Sequence, residues 1–350
     1  MRKLLRMLCG EKIWRWLRDA FGVDKKQVKR LFDNDYERYV AYSCAFREAT
    51  RENLLSEVIM AYHVVEKGLT MPNRRLAFGK DAVRRLMAYV DKFTEKFSAQ
   101  EPQVKHAIGV LAAYLKLHRD AAFDFSEDAV YWDEIKAFLR RFDDIAPAIQ
   151  PHVSREDFYK NKDKSFPAFA ASRHTLRNYS SRPLPMERVH KAVELAMTTP
   201  SACNRQYWRT YCISNHDLGQ KVLELQRGNR GFGHLADKVI IVTVNLEAVG
   251  PNERNDAFTN GGMYLMNLCY ALFYYEIAHC VLNWSKSPEV DAELCSMMHI
   301  PNSEAVIAIL SCGETPEEFD VAAAVVATKL EYCGSVFIST FMVFVVMEYP

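Results

Sequence analysis

The sequence predicts an α+β fold: a sheet covered by helices on both faces, preceded by an all-helical N-terminal region. Three observations carry this. Residues 1–145 repeat apolar side chains at three- and four-residue spacing. A polar stretch with three prolines, PAIQPHVSREDFYKNKDKSFP, then interrupts the pattern at roughly residues 147–167. After it, helical and strand periods alternate, as in a sheet with covering helices. The expected layout is a helical region over 1–150, a linker over 151–167, a sheet domain over 168–335, and an apolar arm or strand over 336–350.

In chain order, residues 1–22 come first, with Leu4, Leu5, Leu8, Ile13, Trp14, Trp16, Leu17 and Phe21 set among basic residues. Two contacts fit such an amphipathic segment: an anionic membrane surface or a protein face. LLSEVIMAYHVVEKGL, GKDAVRRLMAYVDKFTEKF, QVKHAIGVLAAYLKLHRDAA and VYWDEIKAFLRRF are amphipathic helices, punctuated by Pro72-Asn73, Glu101-Pro102 and FDFSED. His63, Glu66 and Lys67 precede Gly68, and Arg74 and Arg75 follow it. This set suits cations at a helix C-terminus and, less directly, a pocket for an anion.

Past the linker, MERVHKAVELAMTT is a helix bounded by Pro185 and Pro200. WRTYCI is a short strand, HDLGQKVLELQR a helix, and DKVIIVTVNL an almost wholly apolar and so central strand. AFTNGGMYLMNLCYALFYYEIAHC reads as one long, nearly uncharged and therefore buried helix. CVLNWS is a short strand or turn. SPEVDAELCSMMHI is a helix with Ser287 as N-cap and Pro288 in its first turn. EAVIAILSCG is a buried strand. From Tyr332 to Met347 run 16 uncharged residues, short of the roughly 20 that span a bilayer. Their β-branched and aromatic bias marks a strand or an arm.

The 350 residues suit two domains. Apolar residues make up 49% and charged residues 25%, which excludes a largely disordered, collagen-like or multi-span membrane protein. Lys and Arg number 45 against 44 Asp and Glu, a net +1, so no nucleic-acid partner is expected. The excess sits at one end: residues 1–30 hold ten basic and three acidic side chains, whereas beyond Arg254 only Lys286 and Lys329 are basic. Nine cysteines, none in CxxC spacing, read as free thiols of a reducing, cytoplasmic setting, with neither disulfides nor a metal site.

GNRGFG, residues 228–233, has its glycines in the wrong order for the dinucleotide fingerprint, and GxxxxGK[ST], HExxH and GxSxG are absent. Two segments remain. Ser172-Arg173-His174-Thr175-Leu176-Arg177 puts two guanidiniums, an imidazole and hydroxyls within six residues, suited to a phosphate. In Thr199-Pro200-Ser201-Ala202-Cys203-Asn204-Arg205-Gln206-Tyr207-Trp208 a helix stops and a strand opens, and the Asn204 and Gln206 amides suit the edge of a flat heterocycle. Each also has a plain local reading, as a solvated turn and as a helix-capping loop.

Together, in this order and spacing, RHTLR and PSACNRQYW resemble the FMN-dependent nitroreductase superfamily over about residues 168–335, with Tyr207 replacing the usual proline. The resemblance implies Arg173, His174, Thr175 and Arg177 at the FMN phosphate and ribityl chain. It also implies Ser201, Asn204 and Gln206 near the ring, Asn229 as a ring contact, and Leu282 and Asn283 in a turn whose backbone N–H faces flavin N5. Lys329 is the one candidate for a basic phosphate contact near the C-terminus, in a context (VATKLEY) that departs from the usual Arg-rich pattern. The implied activity is ping-pong hydride transfer from NADH or NADPH through flavin N5 to an electron-poor small molecule, with no side chain acting as nucleophile. The implied assembly is a homodimer with FMN at the interface. Dehalogenation, dehydrogenation and flavin breakdown are alternatives within the fold, and a non-catalytic flavin-binding or assembly protein, with the helical half as the functional part, is an alternative from another class.

Overall fold

The computed structural model describes residues 10, 13, 23–46, 50–142, 145–323, 330–333 and 336–339. These form two compact units: residues up to 46 with 155–317, and residues 47–154 with those after 317. Most of segment 1–22, Lys329 and residues 340–350 lie outside the described residues.

In chain order the elements are α1 (Val23–Tyr42), α2 (Arg51–Leu69), α3 (Lys80–Thr94), α4 (Pro102–Asp120), α5 (Ala129–Leu139), β1 (His152–Ser154), α6 (Arg155–Tyr159), α7 (Phe166–Ser172), α8 (Met186–Ala196) and β2 (Trp208–Ile213). They continue with α9 (His216–Gln226), β3 (Lys238–Asn245), α10 (Asp256–Tyr274), β4 (Ile277–Asn283), α11 (Pro288–Met298), β5 (Glu304–Glu314), β6 (Glu318–Asp320), β7 (Leu330–Cys333) and β8 (Val336–Ser339). Short 3-10 turns link several of them.

The helical unit is built on α2 to α5. Thr50 opens α2 by accepting a hydrogen bond from the Asn53 amide, and Pro102 opens α4, where its missing N–H costs nothing. Leu54, Val58, Leu86, Val90, Ile108, Leu111, Tyr114 and Trp132 fill the core. Within it Glu66 is fully buried. Its Oε1 lies 3.0 Å from His106 Nε2 and its Oε2 lies 3.3 Å from His63 Nδ1. Burial alone would raise this carboxyl, but the hydrogen bonds and charges of His106 and His63 outweigh it and hold it at about 2. The helix-end charge set of the sequence is therefore partly an internal polar network.

Strand β1 pairs antiparallel with β6, and Arg74 and His152 both bind the Asp320 carboxylate, at 2.7 and 2.8 Å. The expected linker over 151–167 is thus folded. Its first residues form β1, and within α6 Phe158 and Tyr159 are buried. Two aromatic side chains in a polar stretch supply enough apolar area to order it. At the C-terminus β7 and β8 form an antiparallel pair.

The second unit is a four-stranded antiparallel sheet in the order β2-β3-β5-β4. Ile240, Val242 and Val244 of β3 face α10 and α8. Val239, of opposite parity, meets α9 at Gly219, where an added Cβ would lie 3.2 Å from a Val239 methyl. Helices therefore cover both faces, and the fold is α+β as the sequence predicts.

One boundary differs. The stretch read as a single helix breaks at Tyr275-Glu276, and β4 is a full strand from Ile277 to Asn283. Glu276 turns the chain in the left-handed region (φ 53°) without glycine. Its Oε2 binds Arg155 at 2.9 Å and its Oε1 binds Lys162 at 2.5 Å. Arg188 donates to the carbonyls of Tyr275 and Glu276, at 2.9 and 2.7 Å. Glu314, itself buried, accepts from Arg155 at 2.9 Å and from Arg188 at 2.7 Å.

The Glu66 network yields a pH-dependent stability. Folding lowers its pKa from 4.5 to about 2, so its contribution is complete above the unfolded value and is lost as pH falls between the two. From pH 6 to pH 3 the native chain should lose about 2 kcal/mol more than Glu66→Gln, read by denaturation at each pH. Equal losses in the two proteins would remove Glu66 as the cause.

Candidate functional site

Helix α7 ends at Ser172, whose hydroxyl donates to the Ala168 carbonyl at 2.8 Å. The chain then runs from the edge strand β4 to the end of β5. The Leu176 amide donates to the His279 carbonyl at 3.1 Å, and the Ser180 amide to the Glu314 carbonyl at 2.8 Å. Leu176 is buried. Arg173, Thr175 and Arg177 are half-buried and lie within five residues of one another. His174 is exposed; desolvation by its neighbours and the charge of Arg173 lower its pKa.

Beneath this segment lies a residue with no local sequence signal. His279 is buried, and its Nδ1 lies 2.9 Å from the Ile277 carbonyl. Its Nε2 is buried without a partner. Burial first, and the Arg173 charge second, push it down to about 4, so the imidazole is neutral and Nε2 is a bare acceptor.

The loop before β2 is conformationally unusual. Cys203, Asn204 and Gln206 all have positive φ, at 53°, 54° and 48°. Asn tolerates this region; Cys and Gln pay of order 1–3 kcal/mol each. The loop is held both by its own bonds and by residues outside it. Ser201 Oγ accepts from the Gln206 amide at 2.9 Å, and Asn260 Oδ1 accepts from the Ala202 amide at 2.9 Å. Arg205 turns inward: Nε donates to the Ala202 carbonyl at 3.0 Å, Nη1 to the Ala248 carbonyl at 2.7 Å, and Nη1 and Nη2 to the two Glu253 oxygens at 2.7 and 3.1 Å. Gln206 Nε2 donates to Asn204 Oδ1 at 2.9 Å, so the two amides orient each other. Tyr207 is buried with an unpartnered hydroxyl, and Trp208 stacks on Tyr264 with centroids 5.0 Å apart.

Asn229 serves its own turn. Its Nδ2 donates to the Leu223 carbonyl at 2.6 Å and to Gln226 Oε1 at 3.4 Å. A Cβ on Gly233 would sit 2.1 Å from Asn229 Oδ1, so that close approach requires glycine. Leu282 and Asn283 are the last residues of β4, paired with Ile309 and Ala308, rather than a turn after a helix. Gln226 joins the two places, donating from Nε2 to the Asn283 carbonyl at 3.0 Å.

The register sets these pieces relative to one another. Trp208 pairs with Val244, Val244 with Ala305, and Asn283 with Ala308. The 199–207 loop and the end of β4 thus share one end of the sheet, three strand spacings or about 14 Å apart. Lys329 is not among the described residues. Glu253, Asn260 and His279 bear on the site and were not legible locally, because they act on a loop or segment distant in sequence. Among the described residues no group of His, Cys, Asp or Glu is arranged to hold a metal ion, and no helix is long and apolar enough to cross a membrane.

Residues 170–230 match the model of the nitroreductase family. Over 84 residues the chain is 30% identical to iodotyrosine deiodinase of Nematostella vectensis, a match covering 24% of this chain and 29% of that protein. An FMN-dependent nitroreductase from Clostridium difficile R20291 superposes with a TM-score of 0.38 at 15% identity, covering 44% of this chain and 89% of that one. An iodotyrosine deiodinase structure with FMN and 3-iodo-L-tyrosine bound superposes with a TM-score of 0.38 at 15% identity, over 44% and 91% of the two chains. Residues 170–230 therefore carry the nitroreductase-family sequence pattern.

The geometry at Asn229 is directly testable. Replacing it with alanine removes two hydrogen bonds from a tight turn, and urea denaturation of Asn229→Ala should show a loss of about 1–3 kcal/mol. Native stability in that variant would contradict its role in the turn.

Proposed function

We propose that residues 155–317 bind FMN and act as an NAD(P)H-dependent oxidoreductase of the nitroreductase type. The observation that carries this is the pairing of a cationic, hydroxyl-bearing segment (Arg173, Thr175, Arg177) with a preorganised amide loop (Asn204, Gln206) in one small sheet unit. The donor set fits the cofactor: guanidiniums match a phosphate monoester, and His279 Nε2, a buried acceptor without a partner, suits a hydroxyl donor such as a ribityl chain carries. When bound, FMN would accept hydride from NADH or NADPH at N5 and pass it to an electron-poor small molecule. The chain's own task is to bind and orient. Arg173 and Arg177 neutralise the phosphate, the Asn204–Gln206 pair offers a donor and an acceptor to the polar ring edge, and the end of β4 at Leu282 and Asn283 lines the approach. Asn229, engaged in its turn, is assigned to the scaffold.

A second reading, reductive dehalogenation, is favoured by the match to a deiodinase. Anaerobic bleaching of the purified protein's flavin by NADH or NADPH, then reoxidation by a nitroaromatic or by 3-iodo-L-tyrosine, separates the two. A protein without bound flavin, or flavin that neither nucleotide bleaches, would refute the oxidoreductase assignment.

The assembly we propose is a homodimer. Helix α10 has no charged residue between Asp256 and Glu276, yet Phe258, Met263, Met266 and Tyr274 are exposed on it, an apolar face that a second copy would cover. Cys44, Cys203, Cys212, Cys269, Cys280, Cys295 and Cys312 are free thiols, the last four of them buried.

Two outcomes follow. Arg173→Ala removes a charge-assisted contact worth about 1.5–3 kcal/mol, so FMN should bind roughly tenfold to a hundredfold more weakly to a folded variant. Unchanged affinity by fluorescence titration would withdraw that residue from the phosphate site. Met266→Glu places a charge on the exposed face of α10, and light scattering should then report a monomer from a protein that is otherwise dimeric; a native-size Met266→Glu would exclude this face as the interface.

A further inference from the structure

We propose that Glu253 and Asn260 are positioning residues for the 201–206 loop: they hold it in its left-handed conformation and so set its affinity for flavin. This rests on the reading of the loop as a flavin contact. Both residues lie outside 170–230, the segment with the family pattern.

The loop has a backbone that its own sequence disfavours, with Cys203, Asn204 and Gln206 at positive φ and no glycine among them. Something outside it must hold that shape. Glu253 does so through Arg205, taking Nη1 and Nη2 on its two oxygens. The carboxylate is itself fixed by the Gly250 amide, which donates to Oε2 at 2.7 Å. Hydrogen bonds from Arg205 and the Gly250 amide keep its pKa low, in step with its role as the fixed anion of the pair. With Nε, Nη1 and Nη2 all directed inward, the guanidinium serves the loop rather than a ligand. Asn260 holds the other end, accepting from the Ala202 amide while its Nδ2 donates to the Asp256 carbonyl at 2.7 Å. Residue 205 is thereby tied in, and Asn204 and Gln206 on either side are presented outward as a hydrogen-bonded pair. A loop already in its bound shape loses less freedom when the ligand arrives.

The test compares the full chain with Glu253→Gln and Asn260→Ala. Two quantities are read: hydrogen exchange at the Ala202 and Gln206 amides, and FMN affinity by fluorescence titration. Glu253→Gln and Asn260→Ala should speed exchange at both amides and weaken FMN by about tenfold or more, with β3 amides unchanged. Native exchange in both variants overturns the positioning role. Faster exchange with native FMN affinity overturns the link to binding and leaves the flavin reading standing. Failure of the unmodified chain to bind FMN overturns the flavin reading itself, and the affinity claim falls with it.

Discussion

The sheet unit hangs on a group of charges at the turn between α10 and β4. Glu276 and Glu314 are held by Arg155, Lys162 and Arg188, with Arg188 also on the carbonyls of Tyr275 and Glu276. Buried ion pairs add little net stability over apolar substitutes, but breaking one partner away strands a charge and costs about 3–5 kcal/mol. Their work here is geometric. They hold Glu276 in a left-handed turn, and that turn decides where the edge strand begins. The 173–180 segment is anchored to that strand at His279 and to β5 at Glu314, itself a member of the cluster, so its guanidiniums are placed in part by charges at the far end of the sheet.

The same cluster explains what was legible in the sequence. Helices α2 to α5, strands β2, β3 and β5, and helices α8, α9 and α11 were readable because each has its own periodicity or caps. The α10–β4 boundary was not. Both elements are buried and nearly uncharged, and the turn between them carries neither glycine nor proline. Its stability comes from Arg155, Lys162 and Arg188, more than eighty residues away in sequence. The elements within 151–167 were hidden for a related reason: composition marks the stretch as polar, but Phe158 and Tyr159 are buried, and Arg155 opens α6 with an ion pair to Glu276.

At the candidate site the residue types were legible and their duties only partly so. Asn204 and Gln206 stand out in the sequence, and the structure adds that they bond to each other. Asn229 stands out equally, yet its amide is spent on the C-terminus of α9. Arg205 looks like one more cation for an anion, whereas its hydrogen bonds run to Glu253 and two carbonyls. A side chain's chemistry is set by type, and its assignment by which neighbours reach it first; only the second requires tertiary structure.

One feature of the Arg173 segment reaches beyond binding strength. Its two neighbouring imidazoles are both biased to the neutral form, His279 at about 4 and His174 below its ordinary 6.5. These two rings therefore add less charge to the segment below neutrality than ordinary imidazoles would, and an anion bound there as proposed would bring most of the pH dependence itself. A phosphate monoester, whose second ionisation lies near 6, would bind more tightly as pH rises through that value. Sulfate, fully charged throughout, would bind evenly.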